Sequence, residues 1–207
     1  MIGIGVTTYN RPKHLELCLA QIKKHTTNYK LVVIDNVKGI NKAKNKCLDE
    51  LKGCEHVFLF DDDCFPIRDG WDKYIISLNQ NHITYGLEPD KCLGGSVYSY
   101  NKCGGCFLYL SKIVLDGNIR FPEDFEPYGY EHVALSYSVY LAGLSASPYI
   151  CPIDLGNFIY SLDFDGVGGY KLDHKPSLPF SEVKEYVKQN EVKLHDFIQT
   201  SIKRQTR

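Results

Sequence analysis

The 207-residue chain has no excess of charge of either sign, with 24 Lys and Arg against 25 Asp and Glu. A broadly basic surface is thereby excluded, and with it the usual electrostatic route to nucleic acid. Nucleic-acid binding is not expected, and Lys203, Arg204 and Arg207 read as a solvated end. No apolar run approaches the roughly 20 residues that a membrane span needs. Ile2 to Thr8 is too short for a secretory leader and runs at once into Tyr9-Asn10-Arg11-Pro12, so a soluble, cytoplasmic protein is expected. Internal repeats and low-complexity segments are lacking. Two nucleotide-binding signatures are missing as well. A Rossmann dinucleotide site needs Gly-x-Gly-x-x-Gly between the first strand and its helix, but Gly3 and Gly5 fall inside the strand and Thr7-Thr8-Tyr9-Asn10-Arg11 follows. With no Gly-x-x-x-x-Gly-Lys-[Ser/Thr] loop either, NAD(P) binding and P-loop chemistry are both disfavoured.

Cysteine is plentiful, at eight residues, but Cys18, Cys47 and Cys106 lie in apolar periodic segments where a reduced cysteine behaves as a small hydrophobe. Free thiols are expected. Cys103-Gly104-Gly105-Cys106 has Cys-x-x-Cys spacing, yet no second pair stands at zinc-site spacing and the motif does not open a helix. It reads as a turn between strands.

Hydrophobic periodicity organises the first third of the chain. Ile2 to Thr8 reads as a strand, Pro12 marks a helix start, and Leu15, Cys18, Leu19 and Ile22 share one helical face. Leu31 to Ile34 is a second strand, and Ile40, Ala43, Cys47, Leu48 and Leu51 define a second helix. Val57 to Phe60 is a third strand. Alternation of this kind predicts a parallel, doubly wound α/β sheet. Downstream, a helix is expected from near Gly70-Trp71, short strands over His82 to Gly86, Leu93 to Tyr100 and Phe107 to Leu110, and a helix over Tyr130 to Leu141. That helix would carry Val133, Tyr137, Leu141 and Leu144 on one face and stop at Gly143. Ser181 is expected to cap a terminal helix interrupted near Asn190.

Such sheets bind ligands beyond the carboxyl ends of their strands, and three polar clusters fall at those ends: Thr7 to Arg11, Asp35-Asn36, and Asp61-Asp62-Asp63. The last is the most informative, because His56-Val57-Phe58-Leu59-Phe60 is a buried strand running straight into three carboxylates. Strand interiors expel such charge, so the cluster is expected to face a cleft, and oxygen ligands at this density suit Mg²⁺ or Mn²⁺. A solvated acidic turn is the plain alternative.

The arrangement of Thr7-Thr8-Tyr9-Asn10-Arg11-Pro12, Asp35 and Asp61-Asp62-Asp63 resembles the GT-A glycosyltransferases, particularly those of the family 2 type. The resemblance is close over about the first 75 residues. It continues loosely through Gly104-Gly105 and Tyr128-Gly129-Tyr130-Glu131-His132 to Gly143. It implies a GT-A fold with a Rossmann-like, mostly parallel sheet flanked by helices in one domain. Residues 1–75 would form the nucleotide-binding half, 76–180 the acceptor and catalytic half, and 181–207 a C-terminal helix. It further implies that Thr7, Thr8, Tyr9, Arg11 and Asp35 hold the nucleoside of a sugar nucleotide, with Lys44 near base and ribose and Asp62 also on the donor side. Asp61 would meet ribose or metal, Asp63 would ligate Mn²⁺ or Mg²⁺, and His174 would complete the coordination with Asp173 orienting it. A UDP- or dTDP-sugar is the expected donor, and a carbohydrate or other hydroxyl the expected acceptor. The family supplies its base from a Glu-Asp pair opening a helix; Glu131 matches the glutamate, but His132 stands in place of the aspartate. Glu131 is the first candidate for the base and His132 the second.

Three other readings remain at this point. The altered Glu-Asp pair permits a non-catalytic sugar- or nucleotide-binding module, and fifteen tyrosines supply stacking surface for it. A nucleotidyltransferase is weakened by the missing glycine-rich loop. Phosphatase-like matches at Phe60-Asp61-Asp62-Asp63 and Leu162-Asp163-Phe164-Asp165 lack, respectively, the following Thr or Val and room for a downstream sheet.

Overall fold

A computed structural model describes residues 1–125, 129–162 and 180–205. The chain alternates β1 (Ile2–Thr8), α1 (Pro12–His25), β2 (Tyr29–Asp35), α2 (Ile40–Glu50) and β3 (His56–Asp61). After β4 (Cys64–Pro66) and α3 (Trp71–Ser77) comes a long hairpin of β5 (His82–Gly94) and β6 (Val97–Ser111). Then follow α4 (Lys112–Asp116), α5 (Glu131–Leu141), β7 (Ile150–Pro152), β8 (Ile159–Ser161) and α6 (Phe180–Gln205). The main sheet has the order β2-β1-β3-β6-β5, with β7 also paired to β6. β1 pairs parallel with β2 and β3, whereas β6 is antiparallel to β3, β5 and β7, so β6 alone runs against the rest. This is the mostly parallel, helix-flanked sheet that the sequence implies.

Strand β3 shows how the sheet is sandwiched. Phe58 and Phe60 face a core with Ile4, Val6, Cys18, Ile22 and Trp71, while Val57 and Leu59 face Cys47, Leu48, Leu51, Leu135 and Val139. A strand covered on both faces reads as a continuous apolar run, which is why this one could be recognised. β1 is asymmetric: its Ile4 and Val6 fill the first core, and its glycines let α2 approach the other face. A Cβ on Gly5 would lie 2.6 Å from Leu59 Cδ2 and 2.9 Å from Cys47 Cβ.

Four local expectations require correction. Cys103-Gly104-Gly105-Cys106 is not a turn but the middle of β6, at an irregularity where the pairing jumps from Thr84↔Leu108 to Tyr85↔Gly104. Glycine here permits a bulge without ending the strand. The three short strands are accordingly two long ones. Helix α5 buries Glu131, His132, Leu135, Ser136 and Val139, not the face of Val133, Tyr137 and Leu141. Apolar residues surround this helix, so their spacing selects no face. α6 runs unbroken through Asn190, which is buried and donates from Nδ2 to the carbonyls of Phe125 (3.2 Å) and Gly129 (3.3 Å). A polar residue at an inward position here tethers a neighbouring segment and does not break the helix. All eight cysteines are free thiols, and no helix among the described residues is long and apolar enough to cross a membrane.

Candidate active site

The register of the parallel strands builds the first part of the site. Thr8 lies opposite Asp35 and Thr7 opposite Asp61, so the carboxyl ends of β1, β2 and β3 present these side by side. The Thr7 hydroxyl donates to Asp61 Oδ1 (3.0 Å) and that of Thr8 to Asp62 Oδ2 (2.5 Å). Arg11 precedes α1, whose first position Pro12 cannot donate a backbone hydrogen bond. Its guanidinium turns into the acidic cluster. Nε donates to Asp62 Oδ2 (3.2 Å), Nη2 pairs with Asp62 Oδ1, and Nη1 donates to Asp63 Oδ2 (2.8 Å). Tyr9 and Asp35, by contrast, are exposed at the same edge.

Asp62 is wholly buried, which a carboxylate tolerates only when fully hydrogen-bonded; Arg11 and Thr8 meet that demand. Burial pushes its carboxyl up to about 6, with Arg11 and Thr8 opposing the shift. Burial likewise lifts Asp61 to about 7 against the pull of Lys44. For Arg11, burial disfavours the charge, but Asp63 and Asp62 outweigh it and raise the guanidinium's pKa.

Lys44 forms the second part. It projects from α2, is 0% exposed, and its ammonium reaches Asp61 Oδ1 at 3.0 Å, Gly105 O at 3.4 Å and Glu131 Oε1 at 3.5 Å, with His132 Nε2 in direct contact. Burial works against its charge, while Asp61 and Glu131 raise its pKa. The ring of Phe121 closes one side, 5.8 Å from the ammonium. The family resemblance implies Lys44 near base and ribose; its ammonium lies inside the protein, between the acidic cluster and α5.

Helix α5 supplies the third part. Tyr130 adopts a left-handed conformation (φ 66°) at the N-cap and delivers Glu131 and His132 into the interior, 6% and 2% exposed. Gly105 faces them, and a Cβ there would lie at ordinary contact distance, 3.7 Å, from Glu131 Oε1 and from His132 Cδ2. Burial, followed by the fields of Lys44 and His82, holds His132 well below the usual imidazole range. Glu131 Oε2 and His132 Nδ1 have no hydrogen-bond partner among the described residues.

The structure thus brings together Thr7, Thr8, Arg11, Asp61, Asp62, Asp63, Lys44, Glu131 and His132. Tyr9 and Asp35 border them, and His174 and Asp173 lie outside the described residues. Sequence reasoning missed Gly105, whose carbonyl faces Lys44. It also missed a polar inclusion behind α5, where His82 Nε2 meets Ser136 Oγ at 3.0 Å. Burial lowers the His82 pKa to about 3. The i, i+4 spacing of His132 and Ser136 was the available signal, hidden because polar residues in an apolar helix read as its wet side.

Within the acidic cluster, Asp63 is the residue that could offer an oxygen to a divalent ion. Asp63 Oδ1 is buried and has no hydrogen-bond partner among the described residues, whereas the oxygens of Asp62 are committed to Arg11 and Thr8. Among the described residues, the carboxyl groups of Asp61, Asp62, Asp63 and Glu131 are paired with two cationic side chains, Arg11 and Lys44. Among the described residues no three His, Cys, Asp or Glu converge as a self-sufficient metal cage. One carboxylate completed by substrate oxygens suits Mg²⁺-like ions, which are commonly held by one or two carboxylates and phosphates.

No protein-family model matches the sequence, and no curated protein matches it. Solved structures do resemble it. The chain superposes on S. aureus TarS residues 1–349 in complex with UDP with a TM-score of 0.53 and 16% identity, covering 68% of this chain and 55% of that one. It superposes on GalNAc-T7 with UDP, GalNAc and Mn²⁺ with a TM-score of 0.56 and 10% identity, over 73% of this chain and 43% of that one. A Drosophila β-1,4-galactosyltransferase 7 variant with manganese, UDP-Gal and xylobiose gives 0.56 and 14%, over 84% and 81%. The chain has the fold of the GT-A glycosyltransferases. It spans about half the length of the TarS structure it matches.

Proposed function

We propose that the protein is a metal-dependent glycosyltransferase that moves a sugar from a nucleoside-diphosphate sugar to an acceptor hydroxyl with inversion. The observation that carries this reading is the junction of Asp61-Asp62-Asp63 and Glu131 through Lys44, at the carboxyl ends of β1 and β3. A binding module has no need of a buried carboxylate with an uncommitted oxygen beside the acidic cluster; a general base does. The fold and the UDP- and Mn²⁺-bound proteins that share it support the reading.

Exposed Tyr9 and Asp35 would meet the nucleoside, with UDP or dTDP as the expected carrier. Asp63 would hold Mn²⁺ or Mg²⁺ through Oδ1. Such an ion, when bound, would offset the charge that develops on the departing diphosphate. Arg11 holds Asp62 and Asp63 in place through its guanidinium hydrogen bonds. Glu131 Oε2 would take the proton of the acceptor hydroxyl as that oxygen attacks the anomeric carbon, and the nucleoside diphosphate would leave from the opposite face. One domain over residues 1–207, with its nucleotide-binding half at 1–75, belongs to the same proposal. The test is release of UDP from a panel of UDP-sugars with Mn²⁺, with and without carbohydrate acceptors. Turnover that is lost in Glu131→Gln supports the assignment. Binding of UDP with no turnover of any donor would favour the non-catalytic module.

A further inference from the structure

We propose that Lys44 is a positioning residue: it fixes one oxygen of Glu131 and the acceptor nitrogen of His132, leaving Glu131 Oε2 as the proton acceptor and coupling it to the donor side through Asp61. This inference rests on the glycosyltransferase reading and deepens it. An ammonium has three N–H donors, yet four acceptors from three strands and helices surround this one: Asp61 Oδ1, Gly105 O, Glu131 Oε1 and His132 Nε2. The contacts to Gly105 and Glu131, at 3.4 and 3.5 Å, are the longer ones. One N–H is therefore shared between them, and engagement of Asp61 by the donor would release another toward Glu131.

The same geometry removes His132 from proton transfer. A lysine ammonium can only donate, so the Nε2 lone pair of His132 is committed and its single proton resides on Nδ1, whose partner is not among the described residues. An imidazole in that state has no lone pair to offer an acceptor hydroxyl. His132 is thus a strut for Lys44, which explains how a histidine can stand beside the candidate base.

The test uses the full chain with UDP, Mn²⁺ and UDP-sugars, and compares wild type with Lys44→Met, Lys44→Arg, Glu131→Gln and the Lys44→Met/Glu131→Gln pair. The expected result for Lys44→Met is UDP affinity within about threefold of wild type and kcat lower by about 10²-fold or more, with partial recovery in Lys44→Arg. The double variant should lose little beyond Glu131→Gln alone, because residues that act through one another are not additive. Lost UDP affinity with unchanged kcat would make Lys44 a nucleotide-binding residue and overturn the proposal; additive losses would overturn its route through Glu131. Should wild type turn over no donor, the glycosyltransferase reading fails separately, and ¹⁵N shifts of His132 decide the positioning claim. Nε2 unprotonated in wild type and altered in the Lys44 variants supports it, and Nε2 protonated in wild type overturns it. If Lys44→Met does not fold, Lys44→Arg carries the same measurements.

Discussion

Glu131 and His132 are adjacent in sequence and have different surroundings. One oxygen of Glu131 is uncommitted among the described residues, whereas the Nε2 of His132 is held by Lys44. Glu131→Gln is expected to retain UDP and Mn²⁺ binding while lowering transfer by roughly 10²-fold or more. His132→Asn should act through stability and a smaller change in rate. Parallel measurement of kcat, UDP affinity and urea stability checks this, and a larger kcat loss in His132→Asn would transfer the role to the histidine. Asp35 is exposed at the end of β2, so Asp35→Ala should weaken UDP binding by calorimetry with the melting temperature unchanged. His82 gives a pH prediction. Its ordinary value of 6.5 falls to about 3 on burial. Above 6.5 both folded and unfolded states are neutral there and the site contributes no pH dependence. As pH falls from 6.5 toward 3, the unfolded chain takes up a proton that the folded one refuses, and stability is lost. The His82 imidazole should therefore remain neutral by NMR at about pH 5, where an unperturbed histidine is mostly charged; protonation there would contradict the burial.

At the scale of elements, the two glycines of β1 show what close approach requires. Gly5→Ala places a methyl group 2.6 Å from Leu59 Cδ2 and 2.9 Å from Cys47 Cβ, and overpacking of this kind costs about 1–3 kcal/mol. Urea denaturation should register that loss, while a neutral substitution would mean that α2 can retreat. The elements that were legible in the sequence are those in which one physical demand dominates. α1 begins at Pro12 and buries Cys18 and Ile22, and β3 is an apolar run ending in carboxylates. Elements that answer two demands at once were not legible. β6 must both continue the sheet and direct the Gly105 carbonyl at Lys44, so its glycines imitate a turn. The buried face of α5 holds Glu131, His132 and Ser136 for their polarity, which periodicity reads as solvent-facing.

For the whole molecule, the parallel half could be read from alternation alone, because β1, β2 and β3 are local in sequence and joined by helices. The reversal at β6 could not, since its pairing with β3 joins His56 to Ser111 across a long separation that leaves no periodic trace. The same distinction holds for the site. Its acidic cluster is contiguous and was visible, but the convergence of Lys44 with Glu131 and Gly105 comes from tertiary packing. The central claim is that this convergence serves a nucleoside diphosphate bound with a divalent ion. Calorimetric titration of UDP into the full chain tests it most directly, in Mn²⁺ and in EDTA, with wild type and Asp63→Asn side by side. The account predicts binding that is much tighter in Mn²⁺ than in EDTA for wild type, with that difference abolished in Asp63→Asn. Equal affinity in EDTA, or a manganese effect that survives Asp63→Asn, would contradict it.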